Sequence, residues 1–189
     1  MKETTLTLEQ IEDILVGTPD SPYYIRQNIV IPNVSWGFLN HEADLLILNK
    51  TKHLIEIEIK RTWADFMADF KKDHTHNDKK LSYLYYAVPE SIGKRVFDWL
   101  YVGDYDAKWY FSRSKVLEYT EHNPNKCGLI VYNNDDFRRK CCLTVPARSM
   151  SDYKVTTEEE LSLLRLGNMR VWKLKKKLAE YQAEPNLFK

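Results

Sequence analysis

The 189-residue chain carries a formal net charge of +1, with 43% hydrophobic, 29% charged and 13% aromatic residues. That length can bury one substantial core, and the composition excludes disorder, fibrous repeats and the strongly basic surface that announces a nucleic-acid partner by charge alone. No apolar run reaches the ~20 residues of a membrane-spanning helix, no signal-peptide pattern opens the chain, and three cysteines without a CxxC pair exclude a disulfide framework, so a cytoplasmic protein with reduced thiols is expected.

The segment TLTLEQIEDILVG predicts a helix: a threonine cap ahead of Glu9, then Leu8, Ile11 and Leu15 at helical spacing, stopped by Gly17 and Pro19. YIRQNIVI, 24–31, reads as a strand ended by Pro32. DLLILN, 44–49, and HLIEIEIK, 53–60, are two strand-like runs joined by the polar linker Lys50, Thr51 and Lys52, a length suited to a hairpin. Then the period changes. Trp63, Phe66, Met67 and Phe70 make one apolar stripe on a helix over 63–76.

SYLYYAVP, 82–89, is the next strand, followed by an aromatic-rich region with helix expected at 90–101. GLIVYN, 128–133, and KCCLTVP, 140–146, predict two more strands. The terminal segment has Thr157 and Glu160 in capping-box spacing and Lys173, Lys175, Lys176 and Lys177 toward its end, with Gly167 and Asn168 placed to kink or split the helix. This order predicts an α/β (α+β) fold: an αβββαβ core with a mixed central sheet flanked by helices, plus a C-terminal helix, in a single domain 1–189.

Side chains alternate along a strand, so Ile55, Ile57 and Ile59 share one face of the 53–60 run while Glu56, Glu58 and Lys60 share the other. Asp44 opens a neighbouring strand that is otherwise wholly apolar, and a carboxylate there needs a partner. Direct pairing of Asp44 with Glu58 would bring two carboxylates within reach of one ion. Mg²⁺ takes hard oxygen ligands of this kind, and a lysine beside the ion adds positive charge near a phosphate or positions a water. Two carboxylates and a lysine thus suffice for phosphodiester hydrolysis. The same alternation would also arise on the solvated face of an edge hairpin.

The run from His41 through Phe70, followed by YLYYAVPE, resembles PD-(D/E)XK nucleases, and most closely the MmcB-like DNA-repair family. The matching pieces are Ala43-Asp44-Leu45, Glu58-Ile59-Lys60, Ala64-Asp65-Phe66 with Asp69, and the stretch from Tyr85 to Pro89. Ala43 stands where that family's motif name has proline. The likeness is close over 36–89 and looser over 128–181. It implies a restriction-endonuclease-like core spanning about 6–89 and 128–181, with 91–126 as an insertion. It also implies Asp44, Glu58 and Lys60 as catalytic residues, with Mg²⁺ or Mn²⁺ held by Asp44, Glu58 and the Ile59 backbone carbonyl. The expected activity is a metal-dependent DNA endonuclease in repair or defence, with RNA and a homodimer left open; the alternative is a non-cleaving DNA-binding accessory protein on the same fold. Glu56, as an outer carboxylate for a second ion, and Asp65, Asp69 and Lys72, as lining of the groove, are secondary candidates. His74 and His76 form an HxH with no Cys or His at ligand spacing to complete a zinc set, and read as a polar loop.

Overall fold

The computed structural model describes residues 6–19, 21–35, 37–71, 76, 78–103, 118–133 and 141–183. Helix α1 (Leu8–Glu12) opens on Thr7, whose hydroxyl accepts the Gln10 N–H while the Gln10 side chain accepts the Thr7 N–H, a complete capping box. It continues into a π-helical turn, Asp13–Gly17, in which Ile14, Leu15 and Val16 are all buried.

Strands β1 (Ile29–Val34), β2 (Ala43–Leu48) and β3 (Leu54–Ile59) form an antiparallel meander. Helix α2 (Trp63–Asp69) then crosses over to β4 (Leu81–Pro89), which pairs parallel to β3, as a strand reached through a helix normally does. Helix α3 (Glu90–Leu100) and a two-stranded ribbon of β5 (Tyr101–Val102) and β6 (Glu118–Tyr119) precede β7 (Gly128–Tyr132), parallel to β4, and β8 (Cys141–Val145), antiparallel to β7. The main sheet is therefore mixed, six-stranded and ordered β1-β2-β3-β4-β7-β8, and the αβββαβ order is present.

The chain forms two compact units, Met1–Val155, which carries both sheets, and Thr156–Lys189, which carries helix α4 (Thr157–Ala183). No helix among the described residues is long and apolar enough to cross a membrane.

Three local expectations are corrected: the strand end at Pro32, the break at Gly167 and Asn168, and the helix cap at Thr157. Strand β1 runs through Pro32 to Val34, because β1 is an edge strand and proline's missing N–H costs no ladder bond on the open side. Helix α4 is unbroken across Gly167 and Asn168. Its capping box is Thr156 with Glu159, each side chain accepting the other's N–H, one residue earlier than the Thr157 and Glu160 spacing suggested. It also runs on to Ala183, so the lysines at 173–177 stand upstream of its last turn. Helix α2 closes at Asp69, well short of 76.

Two features of the sheet position the site. The β2–β3 turn has the Lys52 N–H donating to the Asn49 carbonyl, the Asn49 N–H to His53, and Lys52 left-handed at φ 66°. This is a type I turn closed by a left-handed residue, a standard three-residue hairpin. The odd-numbered face of β3, Ile55, Ile57 and Ile59, packs with Ile11, Ile14 and Leu15 in the main apolar cluster. All six residues of β3 are buried, so the even-numbered face, which carries two glutamates, is buried as well.

Candidate functional site

The β2–β3 register pairs Leu45 with Ile57, and one step further it sets Asp44 opposite Glu58. Paired residues point the same way, so both carboxylates face one side of the sheet at the end of β3. Asp44 Oδ2 accepts the Ile59 N–H at 2.8 Å, which anchors it across the strand gap. Burial raises Asp44 above its ordinary value, against the lowering effect of that N–H and of Lys60. Burial, and then the neighbouring Asp44, push Glu58 up to about 8, more than Lys60 offsets. The pair resists carrying two negative charges in the absence of a cation.

Lys60 follows directly after β3, its N–H donating to the Ala87 carbonyl at 2.9 Å. Its ammonium is buried and donates to Glu58 Oε2 at 2.9 Å and to Asp69 Oδ1 at 3.0 Å. Burial alone would lower the Lys60 pKa, but Glu58 and Asp69 together hold it above its usual value. With these two partners it is a cation and a hydrogen-bond donor.

Behind this pair lies a second layer. Glu56, two residues earlier on β3, is fully buried, and its two oxygens meet His41 Nε2 and His76 Nδ1, each at 2.7 Å. Burial would raise Glu56, yet the two imidazoles hold it below its ordinary value. His76 Nε2 faces Asp69 Oδ2 at 2.9 Å, and the Tyr86 hydroxyl donates to the same oxygen at 3.2 Å. Burial opposes the His76 cation, but Asp69 and Glu56 outweigh it and push its pKa up to about 10. Four carboxylates (Asp44, Glu56, Glu58 and Asp69), one lysine and two histidines thus converge under α2.

The predicted residues divide accordingly. Asp44, Glu58 and Lys60 are together, and Ile59 lies between them, giving its N–H to Asp44. Glu56 is behind them, bound to histidines. Asp69 is buried rather than on a solvated face, because Lys60, His76 and Tyr86 supply its donors. Asp65 is exposed and its carboxylate accepts the Arg61 N–H at 3.1 Å, while its charge helps to raise Asp44. Lys72 and His74 lie outside the described residues. His76 lies in the connection between α2 and β4, but its side chain is half-buried and joined to Glu56 and Asp69.

Sequence reasoning missed His41, Tyr86 and Glu12. His41 had no local signal, since its partners Glu56 and His76 are distant in sequence. Glu12, at the end of α1, buries one carboxylate oxygen that has no hydrogen-bond partner among the described residues; burial, Glu9 and Asp44 raise its pKa. Among the described residues two sets could hold a metal ion, each with ligand atoms within 4.8 Å of one another: His41, Glu56 and His76, and Glu58, Asp69 and His76.

No family model matches the chain, and no curated protein does. Among solved structures it is similar to a protein of unknown function from Silicibacter pomeroyi, at 13% identity and a TM-score of 0.47, over 87% of this chain and 88% of that one.

Proposed function

We propose that this chain is a metal-dependent phosphodiesterase acting on DNA, a nuclease of the PD-(D/E)XK kind, with Asp44, Glu58 and Lys60 as its working residues. The observation that carries this reading is the hairpin register that sets Asp44 opposite Glu58, with Lys60 on the same face. The donor set fits Mg²⁺ or Mn²⁺: hard carboxylate oxygens on adjacent strands, with Glu58 held near 8 partly by Asp44's charge. Such an ion, when bound, polarises the phosphate and lowers the pKa of a water.

The chain's own groups supply the rest. Asp44 is fixed in orientation by the Ile59 N–H, so its other oxygen is the one available to an ion. Lys60, kept protonated by two carboxylates, offers N–H bonds to a phosphate oxygen or an attacking water and adds positive charge as the phosphorane forms. Asp69 holds Lys60 in place and is a positioning residue.

A second reading, a non-cleaving DNA-binding protein on the same fold, is favoured by one observation. Glu58 and Lys60 are each only 4% exposed and already satisfy one another. The test is incubation of supercoiled plasmid and of single-stranded, flap and mismatched DNA with the protein in Mg²⁺, Mn²⁺ or EDTA. Cleavage with a divalent ion that disappears in EDTA and in Asp44→Asn supports the nuclease. Binding without cutting on every substrate rejects it in favour of the second reading.

A further inference from the structure

We propose that His41, Glu56 and His76 form a binding site for one divalent first-row transition ion, zinc-like in its preference for imidazole nitrogen, behind the Asp44–Glu58 face. Imidazole suits zinc, iron, nickel and copper, and two histidines with one carboxylate are a recurrent protein set for such ions. Here the three side chains come from three separate places: the loop before β2, the middle of β3 and the connection before β4. Their ligand atoms lie within 4.8 Å of one another.

The outer partners point the same way. His41 Nδ1 lies 2.7 Å from the Asn40 amide oxygen, and His76 Nε2 lies 2.9 Å from the Asp69 carboxylate. Both oxygens can only accept, so these ring nitrogens carry protons, which leaves His41 Nε2 and His76 Nδ1, once deprotonated, as the atoms that can ligate an ion. Those two atoms are the ones that meet Glu56. A ligating histidine characteristically gives its other ring N–H to a carboxylate or carbonyl oxygen, which fixes tautomer and ring direction. Both histidines here have that arrangement, with their rings perpendicular at 88° and centroids 5.0 Å apart.

Charge selects this set over the alternative one of Glu58, Asp69 and His76. The Lys60 ammonium already engages one oxygen of Glu58 and one of Asp69, so those two carboxylates have less to offer an ion together with His76. Glu56 touches no lysine or arginine among its described ion pairs, and its charge faces only the histidines. His76 Nδ1 lies 3.9 Å from Glu58 Oε1, so the site sits directly behind the Asp44–Glu58 face while using a carboxylate of its own, Glu56. The ion therefore ties the two loops to β3 and is separate from the nuclease reading, sharing neither Asp44 nor Glu58.

The experiment is titration of chelator-treated protein with Co²⁺, followed by proton NMR, with Zn²⁺ as competitor. Expected are one tight equivalent per chain and two strongly shifted, exchangeable ring N–H signals, both displaced by Zn²⁺ and both retained in Asp44→Asn. Asn40→Ala, at an exposed position, should weaken Co²⁺ binding by roughly 10–100-fold. His41→Gln should remove the shifted pair. Absence of shifted ring N–H signals in the wild type, or an Asn40→Ala affinity equal to wild type, overturns the proposal whether or not the His41 variant folds. A chain that binds Co²⁺ in this way yet never cuts DNA keeps this site and loses the nuclease reading.

Discussion

Glu58→Gln should make the metal-free protein more stable, and the gain should grow with pH. Burial and the Asp44 charge push the Glu58 carboxyl from 4.5 up to about 8, so the folded state favours the protonated acid. The sign follows from linkage: a raised acid costs nothing below its unfolded pKa, costs progressively more between the two pKa values, and reaches a plateau above the folded one. At pH 7 the penalty is about 2.5 pH units above 4.5, or roughly 3 kcal/mol at 1.36 kcal/mol per unit. Glutamine imitates the protonated form in shape and can still accept from Lys60, so it escapes the penalty. Urea unfolding in EDTA at pH 4.5, 7 and 9 measures this. Wild type and variant should match at pH 4.5, separate by up to about 3 kcal/mol at pH 7, and separate further at pH 9. A variant less stable than wild type at pH 7 would show that the Lys60–Glu58 ion pair outweighs desolvation, and would refute the claim that this carboxylate is held for an external cation.

Lys60→Ala should abolish cleavage and cost about 3–5 kcal/mol in calorimetry, because Asp69 and Glu58 lose their buried counter-ion; a loss below 1 kcal/mol would mean that His76 alone compensates them. Gly128→Ala should destabilise by about 1–3 kcal/mol, since an added Cβ would lie 2.2 Å from the Tyr85 ring and 2.6 Å from the Ala147 backbone nitrogen; an unchanged melting temperature would show that Tyr85 can swing aside. DNA affinity in a salt series should fall with a slope of roughly −3 in log K against log salt if three or four phosphates are neutralised. Lys79, exposed just before β4, and the lysines at 173–177 are the candidates, and a slope unchanged in Lys79→Ala transfers the contact to the terminal helix.

The sheet was legible where the signal is local. Alternation in HLIEIEIK fixed which residues share a face, and the polar linker at 50–52 predicted a hairpin, since both depend on neighbours a few residues away. The strand through Pro32 was not, because only the strand's place at the sheet edge makes proline harmless there. The triad of Asp44, Glu58 and Lys60 came from adjacent elements and could be assembled from the sequence. The layer behind it could not. Asp69 looks like one charge on an amphipathic helix until Lys60 and Tyr86 are seen to enclose it, and His41 resembles any loop histidine until Glu56 and His76 arrive from distant segments. Long-range convergence of polar side chains leaves no periodic trace.

The β2–β3 turn carries a consequence for how this chain can vary. With three linker residues and Lys52 left-handed, the strands leave the turn in the register that puts Asp44 beside Glu58. If the three-residue turn is kept, adding or removing one residue slips β2 against β3 by one position and sends Asp44 to the isoleucine side. Relatives that keep this chemistry should therefore absorb any change of length at 50–52 in the turn itself and leave the pairing of β2 with β3 unchanged. A single-codon gain taken up by the strands and not by the turn would be as damaging as a substitution in the site, without touching any residue of the site.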